Sequence, residues 1–216
     1  MNKVNISEYE TIIFDCDGVI LNSNEIKTNA FYKVARVYGH LPAQKLKEYH
    51  QSNGGISRYE KFKYLFSNIL ARPERNNEIN HLVESYSNEV YKDLLQCEIA
   101  DKLNELRELT KNANWMVVSG SDQIELRNVF SRRGLDTYFN FGIFGSPHNK
   151  IEILQREINF GNISQNSLFI GDTLYDYEAA KTVSIDFVFL SKWSEVKDWR
   201  INFKNNVFLD IKDMIS

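Results

Sequence analysis

The chain has 216 residues, and its 26 lysine and arginine residues against 29 aspartate and glutamate residues give a formal net charge of −3. A hydrophobic fraction of 43% with 13% aromatic residues excludes a disordered chain, and a slightly acidic balance without a basic tract argues against a nucleic-acid partner. Because no apolar run approaches the roughly 20 residues that cross a bilayer, and the start lacks a secretion-signal pattern, we expect a cytoplasmic protein with no membrane partner.

Three short apolar runs predict buried parallel strands that end in small or acidic residues: 11–15 (TIIFD), 115–120 (WMVVSG) and 167–172 (SLFIGD). Weaker strand candidates lie at 139–145, 186–190 and 206–210. Segments of helical length separate them. In one of these, residues 122–134, the side chains of Ile124, Val129 and Phe130 can share a face and Gly134 can end the helix. This alternation predicts an α/β fold with a doubly wound parallel sheet.

The stretch after the first strand has a different character. It contains no good strand candidate but several helical ones, at 25–39, 57–71 and 73–95, with Pro73 placed to open the last. We therefore expect residues 22–97 to form a helical insertion, and residues 1–21 and 98–216 to form the α/β core.

Two pairs of aspartates follow predicted strands. Asp15 and Asp17 come directly after the first strand in the sequence FDCDGV, where Gly18 allows a sharp turn. Asp172 and Asp176, in IGDTLYD, follow a later strand. Because ligands bind beyond the carboxyl ends of the strands in an open parallel sheet, we expect the two loops to converge on one site.

Several carboxylates at one site repel each other, by roughly 4 kcal/mol per pair at about 4 Å in a medium of effective dielectric constant near 20. A positive charge must offset this repulsion. Carboxylate oxygens with no histidine or cysteine cluster favour Mg²⁺, which typically keeps several waters and binds substrate phosphate. The sequence therefore predicts a phosphate-processing magnesium site.

Such a site suggests roles for particular residues. Asp15 is the candidate nucleophile that forms an aspartyl-phosphate, and Asp17 can protonate the leaving oxygen and then deprotonate the attacking water. The hydroxyl of Ser119 and the amide of Gly120 are placed to donate hydrogen bonds to the transferring phosphoryl group. Lys150 supplies a balancing positive charge, with Lys111 and Arg127 as alternatives on charge alone.

The ordered motifs resemble those of the haloacid dehalogenase superfamily, in its capped branch of phosphatases and β-phosphoglucomutase-like proteins. The match consists of DCDGV at 15–19, a hydrophobic strand ending in Ser119, Lys150, and GDTLYD at 171–176. The resemblance implies a Rossmann-like core with an inserted helical cap. Because members of the dehalogenase branch lack the second aspartate of the first motif, Asp17 places this chain nearer to the phosphotransferring branch.

The resemblance also implies a ligand set for Mg²⁺: Asp15, the main-chain carbonyl of Asp17, and Asp172, with Asp176 supporting the metal or its waters. In the segment GGISRYEKF, Arg58 corresponds to a family arginine that contacts the non-transferring end of a sugar phosphate. A solvated position in the first turn of its helix is the alternative for Arg58. The four histidines, which lack ligand spacing, are expected at the surface or as local hydrogen-bond partners: His40, His50, His81 and His148.

These observations predict a Mg²⁺-dependent phosphatase acting on a small phosphorylated metabolite, such as a sugar phosphate or a phosphate with a second anionic group. A phosphomutase on the same core is the first alternative. Lys27 stands where mutases of the family often carry histidine, which favours hydrolysis. A binding protein that has lost catalysis is the second alternative, because a fold does not guarantee a function.

Overall fold

The computed structural model describes residues 4–215, and its centre is a parallel sheet of six strands. The strands are β1 (Thr11–Phe14), β2 (Asn114–Asp122), β3 (Ile143–Ser146), β4 (Ser167–Gly171), β5 (Asp186–Leu190) and β6 (Val207–Phe208). Their order across the sheet is β3-β2-β1-β4-β5-β6, and every pair is parallel. This Rossmann-like topology confirms the predicted α/β fold class, and each strand overlaps a predicted run.

The sheet is covered on both faces, which explains why its strands are continuously apolar. Side chains alternate across β1, so that Ile12 and Phe14 enter one hydrophobic cluster while Ile13 enters the other. Every residue of β1 and β4 is buried. These two strands therefore form a rigid support at the middle of the sheet.

Nine α-helices lie between the strands of the described chain. They are α1 (Asn24–Ala35), α2 (His40–Ser52), α3 (Arg58–Tyr64), α4 (Asn76–Leu94), α5 (Leu103–Leu109), α6 (Gln123–Arg132), α7 (Lys150–Asn159), α8 (Leu174–Thr182) and α9 (Trp199–Asn202). Helices α1 to α4 all fall between β1 and β2, and we call the segment that contains them the insertion. Helix α3 continues into a π-helical turn over Leu65–Ile69. None of the helices in residues 4–215 has the length and apolar character needed to cross a membrane.

Two local predictions were wrong. Ile124 lies on the solvent side of α6 with 80% of its surface exposed, and Leu126 packs inward beside Val129 and Phe130 instead. Pro73 does not open α4, because that helix begins at Asn76. The predicted end of α6 is sound, since Gly134 has a positive φ of 66°.

The topology places the ends of β1 and β4 side by side. After β1 the chain passes through the insertion to β2 on one side, and after β4 it continues to β5 on the other side. Neighbouring strands whose connections leave in opposite directions create a crevice at their carboxyl ends. Asp15 and Asp172 are the residues that follow these two strands.

Candidate active site

Three buried aspartates meet in the crevice at the ends of β1 and β4. Carboxylate oxygens of Asp15, Asp172 and Asp176 all lie within 4.8 Å of one another. Asp176 reaches the group from the first turn of α8, where its Oδ2 accepts hydrogen bonds from the amide of Thr173, at 3.1 Å, and from its hydroxyl, at 2.6 Å. The local capping of α8 thus fixes the third carboxylate against the two that follow the strands.

Lys150 lies between two of these carboxylates. It is the first residue of α7, it is completely buried, and its Nζ lies 2.8 Å from Asp15 Oδ2 and 2.5 Å from Asp176 Oδ1. Although burial acts to lower the pKa of Lys150, the two carboxylates outweigh it and raise the pKa. Lys150 thus places a positive charge between Asp15 and Asp176, and the alternatives Lys111 and Arg127 are not needed in this position.

Lys150 alone does not balance the three carboxylates of the acidic cluster. Burial raises the pKa of Asp15 to about 7 despite the opposing effect of Lys150, and burial and the neighbouring carboxylates also raise the pKa of Asp172. Oδ2 of Asp172 accepts a hydrogen bond of 2.7 Å from Asn24, but its Oδ1 is buried without a hydrogen-bond partner. A buried carboxylate oxygen without a partner, among other carboxylate oxygens, is suited to a hard divalent cation.

Gly18 keeps room beside Asp172. Its φ is +77°, and a Cβ atom on this residue would overlap the Asp172 carboxylate. A side chain at position 18 would therefore fill the space that a cation needs.

The carboxylate of Asp17 faces the insertion rather than the acidic cluster. Its Oδ1 accepts a hydrogen bond of 2.6 Å from the Ser23 hydroxyl, and its Oδ2 lies 2.6 Å from Lys27 Nζ and 2.8 Å from Ser121 Oγ. Burial acts to raise the pKa of Asp17, but Lys27 and the three hydrogen bonds lower it below its usual range. These contacts favour the ionised form of the Asp17 carboxylate in this arrangement.

The end of β2 contributes a backbone surface. Gly120 lines the cavity above the acidic cluster, and a Cβ atom there would overlap the carbonyl oxygen of Gly55 in the insertion. Ser119 is fully buried, and its Oγ accepts a hydrogen bond of 3.2 Å from the amide of Ser121. The structure therefore brings Gly120 to the cavity, whereas the hydroxyl of Ser119 lies beneath it.

The cavity has a volume of about 60 Å³ and lies between the core and the insertion. From the core it is lined by Asp15, Asp17, Gly120, Ser121 and Asp172, and from the insertion by Lys27, Phe31, His50, Arg58 and Lys61. The core side of the cavity carries the carboxylates, and the insertion side, which we call the basic wall, carries the cations Lys27, Arg58 and Lys61. Such a cavity is suited to a small anionic ligand together with a cation.

The Arg58 side chain is buried, and its guanidinium forms an ion pair and hydrogen bonds. Only 4% of its surface is exposed, and its guanidinium contacts both oxygens of Glu125 on α6, at 2.5 and 2.9 Å. A further hydrogen bond of 2.7 Å joins it to Ser87 on α4. The alternative of a solvated first-turn residue is therefore wrong, and the predicted role of Arg58 in substrate binding stays a prediction.

Several residues of the cavity were missed by the sequence. His50 was expected either at the surface or as a local hydrogen-bond partner; it is buried, its ring centre lies 4.5 Å from that of Phe31, and its Nδ1 forms a hydrogen bond of 2.7 Å with Lys61 Nζ. Ser121 carries no motif signal beyond its place two residues after Ser119. Asn24 follows the DGV motif closely enough that its proximity to the first aspartates is visible in the sequence.

Comparisons with known proteins identify the family of this chain. Residues 12–190 match the family described as haloacid dehalogenase-like hydrolase. No curated protein matches this chain by sequence.

Solved structures share the fold at low sequence identity. A predicted phosphatase from Clostridium acetobutylicum is 15% identical with a TM-score of 0.74, over 97% of each chain. A hydrolase from Pseudomonas syringae is 18% identical with a TM-score of 0.74, over 95% of each chain. A predicted phosphoglycolate phosphatase from Haemophilus somnus is 16% identical with a TM-score of 0.73, over 96% of this chain and 97% of that chain.

Proposed function

Because the chain belongs to the haloacid dehalogenase-like hydrolase family, we propose that it is a Mg²⁺-dependent phosphatase that hydrolyses a small phosphorylated metabolite through an aspartyl-phosphate. Residues 22–97 are the cap in this proposal, and the rest of the chain is the core. The observation that carries the proposal is the buried cluster of three aspartates, in which one oxygen of Asp172 has no partner.

The ligands of Mg²⁺ in this proposal are carboxylate oxygens of Asp15 and Asp172 and the main-chain carbonyl of Asp17, with Asp176 in support. When bound, the cation supplies positive charge that lets a carboxylate and a phosphoryl group approach each other. Lys150, which contacts Asp15 and Asp176, adds a second fixed positive charge. Together these charges offset the repulsion within the cluster.

Asp15 is the nucleophile. Its Oδ1 accepts a hydrogen bond of 2.7 Å from the amide of Cys16, and its Oδ2 contacts Lys150, so the carboxylate is held in one orientation at the end of β1. A fixed orientation lowers the barrier to attack on phosphorus, because little freedom remains to be lost. The amide of Gly120 and the hydroxyl of Ser119 are the donors to the phosphoryl oxygens in this proposal, since Ser119 Oγ only accepts a hydrogen bond from the Ser121 amide and keeps its own hydrogen to donate.

Asp17 transfers the proton. In the arrangement seen here it is ionised by Lys27, Ser23 and Ser121, which is the state that takes a proton from the attacking water. Release of Lys27 removes the main cause of its low pKa and lets the carboxyl group carry a proton to the leaving oxygen of the substrate. Lys27 lies in the insertion, so this proton step is linked to the position of the cap.

The cavity volume supports a small substrate, such as a sugar phosphate or a phosphate with a second anionic group. The names of two similar structures describe phosphatases, and one of them names phosphoglycolate, which has a carboxylate at the end opposite its phosphate. The basic wall of the insertion is consistent with such a group.

A screen of sugar phosphates, phosphorylated acids and nucleotides tests the proposal, with Mg²⁺ present and after chelation. We expect phosphate release that requires Mg²⁺ and is lost in Asp15→Asn, with Asp101→Asn, at an exposed position, as the matched control. Isomer formation without phosphate release would replace hydrolysis with phosphomutase activity. Absence of turnover across the screen, with binding that needs no metal, would identify a binding protein.

A further inference from the structure

Lys61 differs from the other buried lysines of the cavity in the groups that it contacts. Lys61, on α3, has 2% of its surface exposed and lines the same cavity as Asp15 and Asp172. Its Nζ forms a hydrogen bond of 2.7 Å with His50 Nδ1 and lies 5.4 Å from the centre of the Phe31 ring. Lys61 is therefore held by neutral groups.

The other buried cations around the cavity each contact a carboxylate. Lys27 pairs with Asp17, Lys150 with Asp15 and Asp176, and Arg58 with Glu125. Within residues 4–215, no carboxylate lies within ion-pair distance of Lys61. An unpaired buried ammonium is unfavourable, since burial removes its hydration and no counter-charge replaces it.

The charged groups around Lys61 also leave its positive charge unbalanced. The titratable and charged groups that face it are His50, Lys27, Asp17, Glu195 and Lys150. Burial and the repulsion of Lys27 lower the pKa of Lys61 to about 7, with a further lowering by Lys150, while Asp17 and Glu195 act in the opposite direction. The charge of Lys61 is therefore not balanced by a neighbouring carboxylate, so an additional anion beside it would be favourable.

We infer that Lys61 is the residue that binds the anionic group of the substrate at the end remote from the transferring phosphoryl group. The inference rests on the proposed phosphatase function and narrows its substrates to small phosphomonoesters that carry a second oxyanion, either a carboxylate or another phosphate. Arg58, the candidate from the sequence, already donates to both oxygens of Glu125, whereas Lys61 has hydrogen atoms left to donate.

His50 positions this lysine. When Lys61 is an ammonium it donates one hydrogen to Nδ1 of His50, so the neutral ring carries its own proton on Nε2. Burial and the charges of Lys61 and Lys27 lower the pKa of His50 well below its usual value, which keeps the ring neutral. The remaining two hydrogens of the ammonium can then bind a substrate oxyanion.

Substrate pairs that differ only in the remote group test the inference. The first pair is phosphoglycolate and hydroxyethyl phosphate, and the second is propanediol bisphosphate and hydroxypropyl phosphate. We expect the wild-type protein to favour at least one anionic member by more than about tenfold in kcat/KM, as for a hydrogen bond between charged groups. The first pair reports a carboxylate site and the second a phosphate site.

Lys61→Met should bring the preferred ratio close to one, mainly through a higher KM for the anionic substrate. Lys63→Met is the matched control, because Lys63 is on the same helix but exposed, and it should keep the wild-type ratio. Equal turnover of both members of each pair by the wild type, or a preference that survives in Lys61→Met, would overturn the inference. If the wild type turns over no phosphomonoester, p-nitrophenyl phosphate included, the proposed function itself fails.

Ligand binding without turnover gives a second test should Lys61→Met not fold. In Asp15→Asn with Mg²⁺, the anionic member of the preferred pair should raise Tm more than its neutral partner does. Equal shifts in Tm would overturn the inference.

Discussion

The ion pair between Arg58 and Glu125 gives a sharp test of how the insertion is held on the core. The two side chains are 3% and 10% exposed, and the pair joins α3 of the insertion to α6 of the core through two hydrogen bonds. Glu125→Gln leaves the Arg58 guanidinium buried without a counter-charge. Breaking a buried ion pair in this way typically lowers the free energy of unfolding by about 3–5 kcal/mol.

That loss can be expressed as a change in Tm. A chain of this size loses roughly 2 °C of Tm per kcal/mol, so we expect Glu125→Gln to lower Tm by about 6–10 °C in thermal unfolding followed by circular dichroism. Glu60→Gln is the matched control. It removes the partner of Lys63 in a pair whose side chains are 57% and 45% exposed, and it should change Tm by less than about 2 °C.

The double variant Arg58→Met with Glu125→Leu tests whether the loss of stability comes from the unpaired guanidinium. Apolar residues of similar volume replace many buried ion pairs without loss of stability, so this variant should be more stable than Glu125→Gln. A Tm for Glu125→Gln within about 1 °C of wild type would refute the assignment of a buried, energetically important contact. The KM of the double variant also tests whether Arg58 binds substrate, since a KM equal to that of wild type would exclude it.

Three further predictions concern the cavity. Gly120→Ala places a Cβ atom against the carbonyl of Gly55, so kcat/KM should fall by about tenfold or more; an unchanged kcat/KM would contradict this close approach. Asp172→Asn should weaken Mg²⁺ binding by at least about tenfold in calorimetry, and equal affinity would remove Asp172 from the ligand set. Because the pKa of Lys61 is lowered to about 7, its charge is present below that pH and lost above it. The KM for the preferred anionic substrate should therefore rise with pH above about 7 relative to that of its neutral partner, and a ratio independent of pH would count against Lys61.

The fold was predictable because local patterns decide it. Buried parallel strands are continuously apolar, and each such run in the sequence became a strand. The proximity of Asp15 and Asp172 was predictable because ligands bind beyond the carboxyl ends of parallel strands. These residues follow β1 and β4, which are neighbours at the point where the connections diverge. The proximity of Asp176 to these two residues was also predictable, because it lies in the first turn of the helix that follows β4.

The contacts between insertion and core were not predictable. Lys27 meets Ser121 across 94 residues of sequence, and Arg58 meets Glu125 across 67. These contacts depend on how helices pack on the core, for which the sequence carries no local signal. Helix α2 was missed for a related reason, because it begins directly after Gly39 and contains Pro42 in its first turn, a pattern that also suits a loop.

In the proposed mechanism, Asp15 takes the phosphoryl group onto its own carboxylate. Borohydride reduction of a quenched reaction tests it directly, because an acyl phosphate on aspartate is reduced to homoserine, whereas a free carboxylate is not. The protein should be Asp17→Asn with p-nitrophenyl phosphate and Mg²⁺, since this leaving group needs no proton and the intermediate then lacks its general base. We predict homoserine at position 15 in the peptide masses, and only when Mg²⁺ is present. Turnover of the substrate with an unmodified Asp15, or with the modification at another residue, would contradict the account.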